Sequence, residues 1–551
     1  MDLIDVILVL SYLVGIFAVG IYFYKWIRKP DDFYVAGRRL TPFILAATLS
    51  ATNINLYSFV GQSGAAYQNG ISIIWNTWTG NMALVLSGLF IIPLLRRLKV
   101  RTIPEFVEMR YSNGFRAFVG FIWIFRFAFW LGVGVYAIAI VAQMVTGVNS
   151  FTLWVIVLTV IAVLYTMLGG NWSVVVTDVL QFLLMLGGAL ILLPLAMKAV
   201  GWFPGLVRSL PAQHFNFVPE KGPYNWVFLL TMLLLGIKWA SVDQGILQRA
   251  FGSENDRTAA KAMVLSGIIT TPFAFLWILP GMAAGVLYKH LPTLDYAVPK
   301  LIIQYVPHVA LGLLICGLLS AQMSAVGGYL NSVATIFTND IYNGFFGRKA
   351  SEKTTLLVAR ITVVIVGIFI IGFSYFVPLL GGIVKANLTI VGIMDMPLFV
   401  VAIVYGLLWK RANWQGAFGG YVIGTAAGLL VFLFAGHNFN LATFASAGAT
   451  LLACPIITLI TSPQDEGKRL AVWGARNLMT EDEDGKKIEN PYRIIPVTTR
   501  GRLSLVIVGI GLLGYIAGAV LGAYGAGIAS AVAILSMVIF FAGGFARLFF
   551  D

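Results

Sequence analysis

Of the ionisable residues within the long apolar runs of this chain, five are leads to function: Arg126, Asp178, Lys238, Asp243 and Asp395. A charge in hydrocarbon is costly without a partner or water, so each marks a place where polar chemistry is needed. Two runs are also rich in uncharged polar side chains and glycine. One carries Ser50, Thr52, Asn53, Asn55, Ser58, Gly61, Gln62 and Gly64; the other carries Gly236, Lys238, Trp239, Ser241, Asp243, Gln244 and Gly245. Such residues in mid-run suit a helix that lines a cavity, where hydroxyls, amides and carboxylates bind polar solutes and hard cations. A third stretch, SAVGGYLNSVATIFTNDIY from Ser324 to Tyr342, sets a hydroxyl among small residues and closes on a polar end. It is a candidate cation site; the plainer reading of Ser324 is a helix-packing serine.

Lys238 and Asp243 stand five residues apart, about 140° around a helix, so they pair across one turn only where the helix unwinds. Trp239 and Asp243 are four apart and share a face, either as an aromatic platform with a polar partner for a solute or as a structural pair. Arg126 can hold a solute carboxylate bidentately or neutralise Asp395 from a neighbouring helix. The second is the simpler expectation, because it satisfies two charges at once. Ser58, Gln62, Asn76 and Thr77 complete a candidate solute cavity, with Trp75 and Trp78 as apolar lids or as interfacial anchors. The histidines, His214, His290, His308 and His437, fall at or beyond the ends of apolar runs, so none is placed to relay protons through a bilayer centre.

These residues are positioned by a membrane protein. Of 551 residues, 59% are hydrophobic and 11% charged, with mean hydropathy +0.88, outside the range of soluble globular domains. About fifteen apolar runs, each near 20 residues, are long enough to cross a bilayer as helices. They start near Leu3, Pro42, Ile73, Ala117, Phe151, Val174, Asn225, Ala262, Ile302, Leu356, Ile383, Gly416, Leu441, Leu503 and Ala526. Asp2 and Asp5 precede the first run and Lys25, Arg28 and Lys29 follow it, the reverse of a cleaved signal, which makes it an anchor with the N-terminus outside.

Threading from that start puts Arg38, Arg39, Arg96, Arg97, Lys99, Arg101, Arg249, Arg257, Lys261, Arg348, Lys349, Lys410 and Arg411 inside and leaves the outside sparse in basic residues. The net charge of +14 therefore reads as orientation signal and contact with anionic lipid, not as a nucleic-acid footprint. With fifteen spans the C-terminus is cytoplasmic, and the expected location is a plasma or inner membrane. Cys316 and Cys454 both lie in apolar runs, which excludes a disulfide framework and a cysteine metal site. The stretch 462–502, with MTEDEDGKK inside it, is expected to be a solvated cytoplasmic linker.

The two polar runs lie five spans apart. That is an odd number, so they cross in opposite directions, as an inverted-topology repeat requires. The expected order is an anchor helix and joint over 1–40, a first five-helix repeat over 41–200, a second over 201–410, accessory helices over 411–461, the loop 462–502 and C-terminal helices over 503–551.

Several segments resemble the sodium:solute symporter family. They are FYVAGRRL, ATLSATNINLYSFVG, RTIPEFVEMRY, YTMLGGNWSVVVTDVLQF, ILQRAFG, the Ser324 to Tyr342 stretch and YGLLWKRANWQGAFGG, running in the family's order from about residue 33 to residue 420. NSVATIFTNDIY and WILPGMAAGVLY are most similar to its sodium/sugar branch. The resemblance implies an all-α polytopic membrane protein of leucine-transporter type, a five-plus-five inverted repeat working by alternating access; the hydropathy count makes it about 14–15 transmembrane helices. It places coupling-ion ligands at the backbone carbonyls of Ala51, Ile54 and Ala321 and the hydroxyl of Ser324. It also puts Asp178 on an inner ion exit path, where the residues alone equally allow a helix N-terminal carboxylate. The family's second adjacent hydroxyl reads Ala325 here, which predicts a weaker cage or one that recruits water or Thr48. Positions that hold a hexose in the sugar branch read Ser58, Thr77, Gly236, Ile268 and Thr389, which puts a hexose in doubt.

The function this implies is sodium-coupled symport of a small polar organic solute, a sugar, polyol or sugar acid. Na⁺ is the coupling ion, and the partners are the solute and the lipid bilayer, with no nucleic acid and no obligatory protein partner. One cation moving inward through 100 mV yields about 2.3 kcal/mol. No phosphate-binding loop for a nucleotide is present. Two rivals stay open: a proton-coupled carrier using Asp243 or Asp395, and a non-transporting solute sensor, suggested by Ala325. No nucleophile beside a base points to an enzyme.

Overall fold

The computed structural model describes residues 2–24, 34–346, 351–481, 487–488 and 491–550. Lys25, Arg28, Lys29, Arg348, Lys349 and Asp482 to Lys486 lie outside the described residues. Among those described, the chain is helical, with two isolated bridges and no strand.

Among the described residues, ten helices are both long and apolar enough to cross a membrane, two bent pairs pass the same test together, and Leu3–Val19 and Phe151–Leu164 are apolar but shorter. In chain order the main helices are α1 (Leu3–Tyr24), α2 (Pro42–Asn53), α3 (Ser63–Asn69), α4 (Trp75–Phe90), α5 (Asn113–Thr146), α6 (Phe151–Ala199), α7 (Trp226–Val242), α8 (Gln244–Phe251), α9 (Asp256–Thr270) and α10 (Phe275–Leu287). They continue with α11 (Ala310–Thr335), α12 (Glu352–Ser374), α13 (Ile383–Phe399), α14 (Trp414–Phe434), α15 (Phe439–Ile460), α16 (Thr499–Ala523) and α17 (Ala529–Arg547).

The sequence punctuates these helices. Ser112, Ser150, Asn225, Ser351, Asn413 and Thr498 each accept a backbone N–H at a helix start, satisfying a donor that would otherwise be orphaned. Between α3 and α4 the chain doubles back at Gly70, whose φ of 72° and ψ of −150° suit glycine alone. Hydrogen bonds from Thr77 to Gln62 and from Asn53 to Asn81 cross that hairpin. The runs expected from Phe151 and Val174 both fall within α6, as the separate apolar segments Phe151–Leu164 and Val174–Ala199. The ninth run starts later than expected, because the chain breaks between Tyr305 and Ala310, with Val309 at φ 69°.

Packing separates a centre from a periphery. α2 touches α6, α9 and α11; α4 touches α7 and α9; α7 touches α13. The apolar window of α11 is 89% buried and that of α5 78%, against 33% to 39% for α14 to α17. The polar runs therefore sit at the middle, and the last four helices form an outer layer.

One expectation fails here and one is sharpened. Trp75 and Trp78 are neither lids nor interfacial anchors: both are buried, and their indole N–H groups donate to Phe217 O and Thr271 O. The stretch 462–502 is exposed at most of its described residues, yet it is anchored at several points. Arg97 donates to Tyr492 O, Gln464 to Tyr111 O and Lys468 to Glu108 O, while the Tyr492 side chain is buried with its hydroxyl on Leu89 O. Helix ends carry unpaired carbonyls, and these side chains satisfy them, which ties the segment down.

Candidate functional site

Both polar runs are broken helices. α2 stops at Ile54, at φ −93° and ψ 115°, and the chain resumes as a wide turn over Tyr57–Gln62 with a 46° bend. α7 stops at Asp243, at φ −68° and ψ 117°, and α8 leaves at 45°. Asp243 makes its own break, since Oδ1 accepts the Gly245 N–H and caps α8. Each break frees the last carbonyls of one half-helix and the first amides of the next.

A cavity with about 770 Å³ of empty space lies at these breaks. All six expected solute residues line it: Ser58, Gln62, Asn76, Thr77, Trp239 and Asp243. Thr77 Oγ1 donates to Gln62 Oε1 at 2.9 Å, Gln62 Nε2 to Asn76 Oδ1 at 3.2 Å, and Asn76 Nδ2 to the Tyr57 hydroxyl at 2.9 Å. Facing that polar ladder are the rings of Tyr57 and Trp130, 5.7 Å apart, with Tyr329 beyond. From α13 the lining comes from Asn387, Leu388 and Val391 rather than Thr389, whose hydroxyl is buried elsewhere.

Four buried charges stand behind this wall. Arg126 Nη2 lies 2.6 Å from Asp395 Oδ2, Lys238 Nζ lies 2.8 Å from the same oxygen, and Arg126 Nη1 lies 3.2 Å from Asp243 Oδ2. The Arg126–Asp395 pair is the one expected. Lys238 reaches across to α13, so the unwinding at Asp243 does not bring Lys238 and Asp243 together. Of the four, Arg126 and Asp243 line the cavity.

A second cluster sits between α2, α6 and α11. Ser324 Oγ donates to Asp178 Oδ1 at 2.6 Å, the Thr48 hydroxyl donates to Asp178 Oδ2, and Arg249 Nη2 lies 3.0 Å from that oxygen. Asp178 accepts from side chains rather than from free backbone amides, which overturns its reading as a helix N-terminal carboxylate. The four expected ion ligands are all buried, Ala51 and Ile54 at the end of α2 and Ala321 and Ser324 on α11, and these two helices touch. Every candidate ligand there is an oxygen, and Ser324 donates its O–H to Asp178, so its own oxygen can act only as an acceptor toward a further group, which suits a hard cation. Ala325 adds no oxygen. Thr48, the expected substitute, is turned to Asp178.

The two-turn helix α8 closes one end. Gln244 Oε1 accepts from Ile103 N, Gln248 Nε2 donates to Tyr34 O and to Thr335 Oγ1, and Arg249 holds Asp178, Thr48 Oγ1 and Gly245 O. Asp340, in the polar end of the Ser324 to Tyr342 stretch, accepts from Thr102 Oγ1 and Arg116 Nε at 2.9 Å. In the sequence Arg249 stands only as an inner basic residue within ILQRAFG, and Tyr57, Trp130, Tyr329 and Asn387 carry no mark of a place in the wall. Their one signal was proximity to a break, which spacing alone does not reveal for the residues on α5, α11 and α13.

The profile of the sodium:solute symporter family matches residues 33–424. The chain is 28% identical to the sodium/glucose cotransporter 4 of Mus musculus, over 77% of this chain and 68% of that protein. It is also 28% identical to the sodium/glucose cotransporter of Vibrio parahaemolyticus, over 79% and 85%, and 26% identical to the sodium/myo-inositol cotransporter 2 of Oryctolagus cuniculus, over 77% and 69%. Its fold superposes on the substrate-bound outward-open structure of a Na⁺-coupled sialic acid symporter with a TM-score of 0.75, at 21% identity, covering 84% of this chain and 99% of that one. The architecture is the leucine-transporter-type inverted repeat of a multi-pass membrane protein. With the profile spanning well over half its length, the chain belongs to the sodium:solute symporter family.

Proposed function

We propose that this protein is a sodium-coupled symporter of a small polar organic solute, a sugar, polyol or sugar acid, working by alternating access. The observation that carries the reading is the cavity at two broken helices, where a ladder of hydroxyl and amide groups faces aromatic rings. Hydroxyl-rich solutes need many donors and acceptors on one side and an apolar surface for their C–H faces on the other. Ser58, Gln62, Asn76, Thr77, Trp239 and Asp243 hold the solute. Na⁺ is held by the carbonyls of Ala51, Ile54 and Ala321 with the Ser324 hydroxyl, which donates its hydrogen bond to Asp178. The names of the sugar and inositol cotransporter relatives agree with this class.

Binding of Na⁺ beside α2 and α11 ties the first broken helix to the second repeat, and the solute bridges both breaks. Release to the cytoplasm then requires α8 to let go of Asp178 and Thr48. The distribution of basic residues supports an N-terminus outside and the α8 end inside, and in this reading the membrane is a plasma or inner membrane. The test is uptake into proteoliposomes under imposed sodium or proton gradients, against a panel of sugars, polyols and sugar acids. Sodium-driven accumulation is expected. Accumulation driven by protons alone refutes the coupling ion, and saturable binding without uptake replaces the symporter by a sensor.

A further inference from the structure

A second cavity, with about 1040 Å³ of empty space, follows the first along the polar run: Gly61 and Ala65 line it, beside the Ser58 and Gln62 of the central one. It lies toward the end that the basic residues place outside. One wall forms where the turn Leu294–Tyr296 meets the start of α13. Asp295 is buried there, 5% exposed, and its carboxylate accepts the backbone N–H of Ile383, the first residue of α13. Two successive left-handed glycines, Gly381 at φ 85° and Gly382 at φ 95°, shape this approach, and a Cβ on Gly382 would lie 3.2 Å from Asp295 Oδ2. On its other side the turn is wedged against α3, where a Cβ on Gly64 would stand 2.5 Å from Leu294 O.

Asp295 therefore joins the loop between α10 and α11 to α13, the helix that carries Asn387 into the central cavity and Asp395 into the ionic cluster. The titratable groups around it are Tyr136 of α5, Tyr224 ahead of α7, its neighbour Tyr296, and Lys385 of α13, which lies over Gly381. Tyr67 of α3 is turned away to Tyr288 O.

We propose that Asp295 is a proton-sensitive latch on the outer vestibule, closed while its carboxyl carries a proton and released when it ionises. Burial pushes this carboxyl up to about 7, against the pull of the Ile383 N–H. Opening returns it to water, where an aspartate titrates near pH ~3.9. The closed state thus holds the proton more tightly, so acid favours closure and ionisation favours opening. Between pH 6 and pH 8 the ratio of open to closed rises about tenfold on these values. This effect follows the outer pH and needs no proton gradient, which separates it from proton coupling.

The test uses the purified full-length protein in sodium buffer, with Ala65→Cys in the vestibule and, in a separate sample, Lys289→Cys on the exposed loop. Cys316 and Cys454 are buried. The ratio of their maleimide labelling rates removes the intrinsic pH dependence of a thiol. That ratio is expected to rise about tenfold from pH 6 to pH 8, and Asp295→Asn is expected to hold it flat at the pH 6 level. A flat ratio with Asp295 in place overturns the latch, and so does an undiminished rise in Asp295→Asn. The first result needs no variant of Asp295 that must fold.

Discussion

Replacing Asp395 by Asn strips the carboxylate that serves two buried cations at once. Its Oδ2 lies 2.6 Å from Arg126 and 2.8 Å from Lys238, and all three side chains are at most 5% exposed. At an effective dielectric constant of about 20, each contact is worth roughly 6 kcal/mol of Coulomb energy before desolvation is counted. Removing one partner of a buried pair costs about 3–5 kcal/mol in practice, because the remaining charge is stranded. Asp395→Asn takes from Lys238 its hydrogen-bonded carboxylate and leaves Arg126 with Asp243 at 3.2 Å. Adding Lys238→Met removes the stranded cation and leaves one balanced pair, so the double variant is expected to be more stable than Asp395→Asn alone by about 1–3 kcal/mol. Thermal unfolding of the purified protein in detergent measures the order: natural chain, then double variant, then single. A double variant no more stable than the single one refutes the claim that Lys238 and Asp395 satisfy each other.

Three more outcomes follow from the same geometry. Ser324→Ala removes a hydroxyl from the ion cage and a bond to Asp178, and should raise the sodium needed for half-maximal uptake about tenfold, or ~1.4 kcal/mol; an unchanged sodium titration removes Ser324 from the cage. Gly328→Ala places a methyl against the Arg249 guanidinium; because that group ends a flexible side chain, folding should survive while uptake falls at least about tenfold through loss of its grip on Asp178. Retained uptake in Gly328→Ala would dissociate this contact from transport. Thr77→Val keeps the shape of its side chain but loses the donor to Gln62 Oε1, and should raise the solute KM several-fold, by about 1 kcal/mol of binding, with sodium dependence intact.

The spans and the two polar runs were legible in the residues, and the reason is the solvent. A segment in hydrocarbon must satisfy its own backbone, so it becomes a helix of set length, and any polar group it carries in mid-span announces a cavity. Hence the six solute candidates could be drawn from composition and position along three runs, and all six face one cavity. The broken-helix positions were legible only as regions: aspartate is a helix-capping residue type, which suits Asp243, but no residue type marks Ile54 as the end of a half-helix.

Partner choice was decided by tertiary structure. Lys238 is near Asp243 in sequence yet binds Asp395, 157 residues away, and Ser324 finds Asp178, 146 residues away. Asp178 looked equally like a helix cap until packing of α6 against α2 and α11 surrounded it with hydroxyls and Arg249. The stretch 462–502 looked solvated because its charges are many, but Gln464, Lys468, Arg476 and Tyr492 answer carbonyls at the ends of other helices. Sequence determined which groups had to be satisfied inside the membrane; the fold determined by which partner, because that depends on distances of about 3 Å set by helices far apart in the chain.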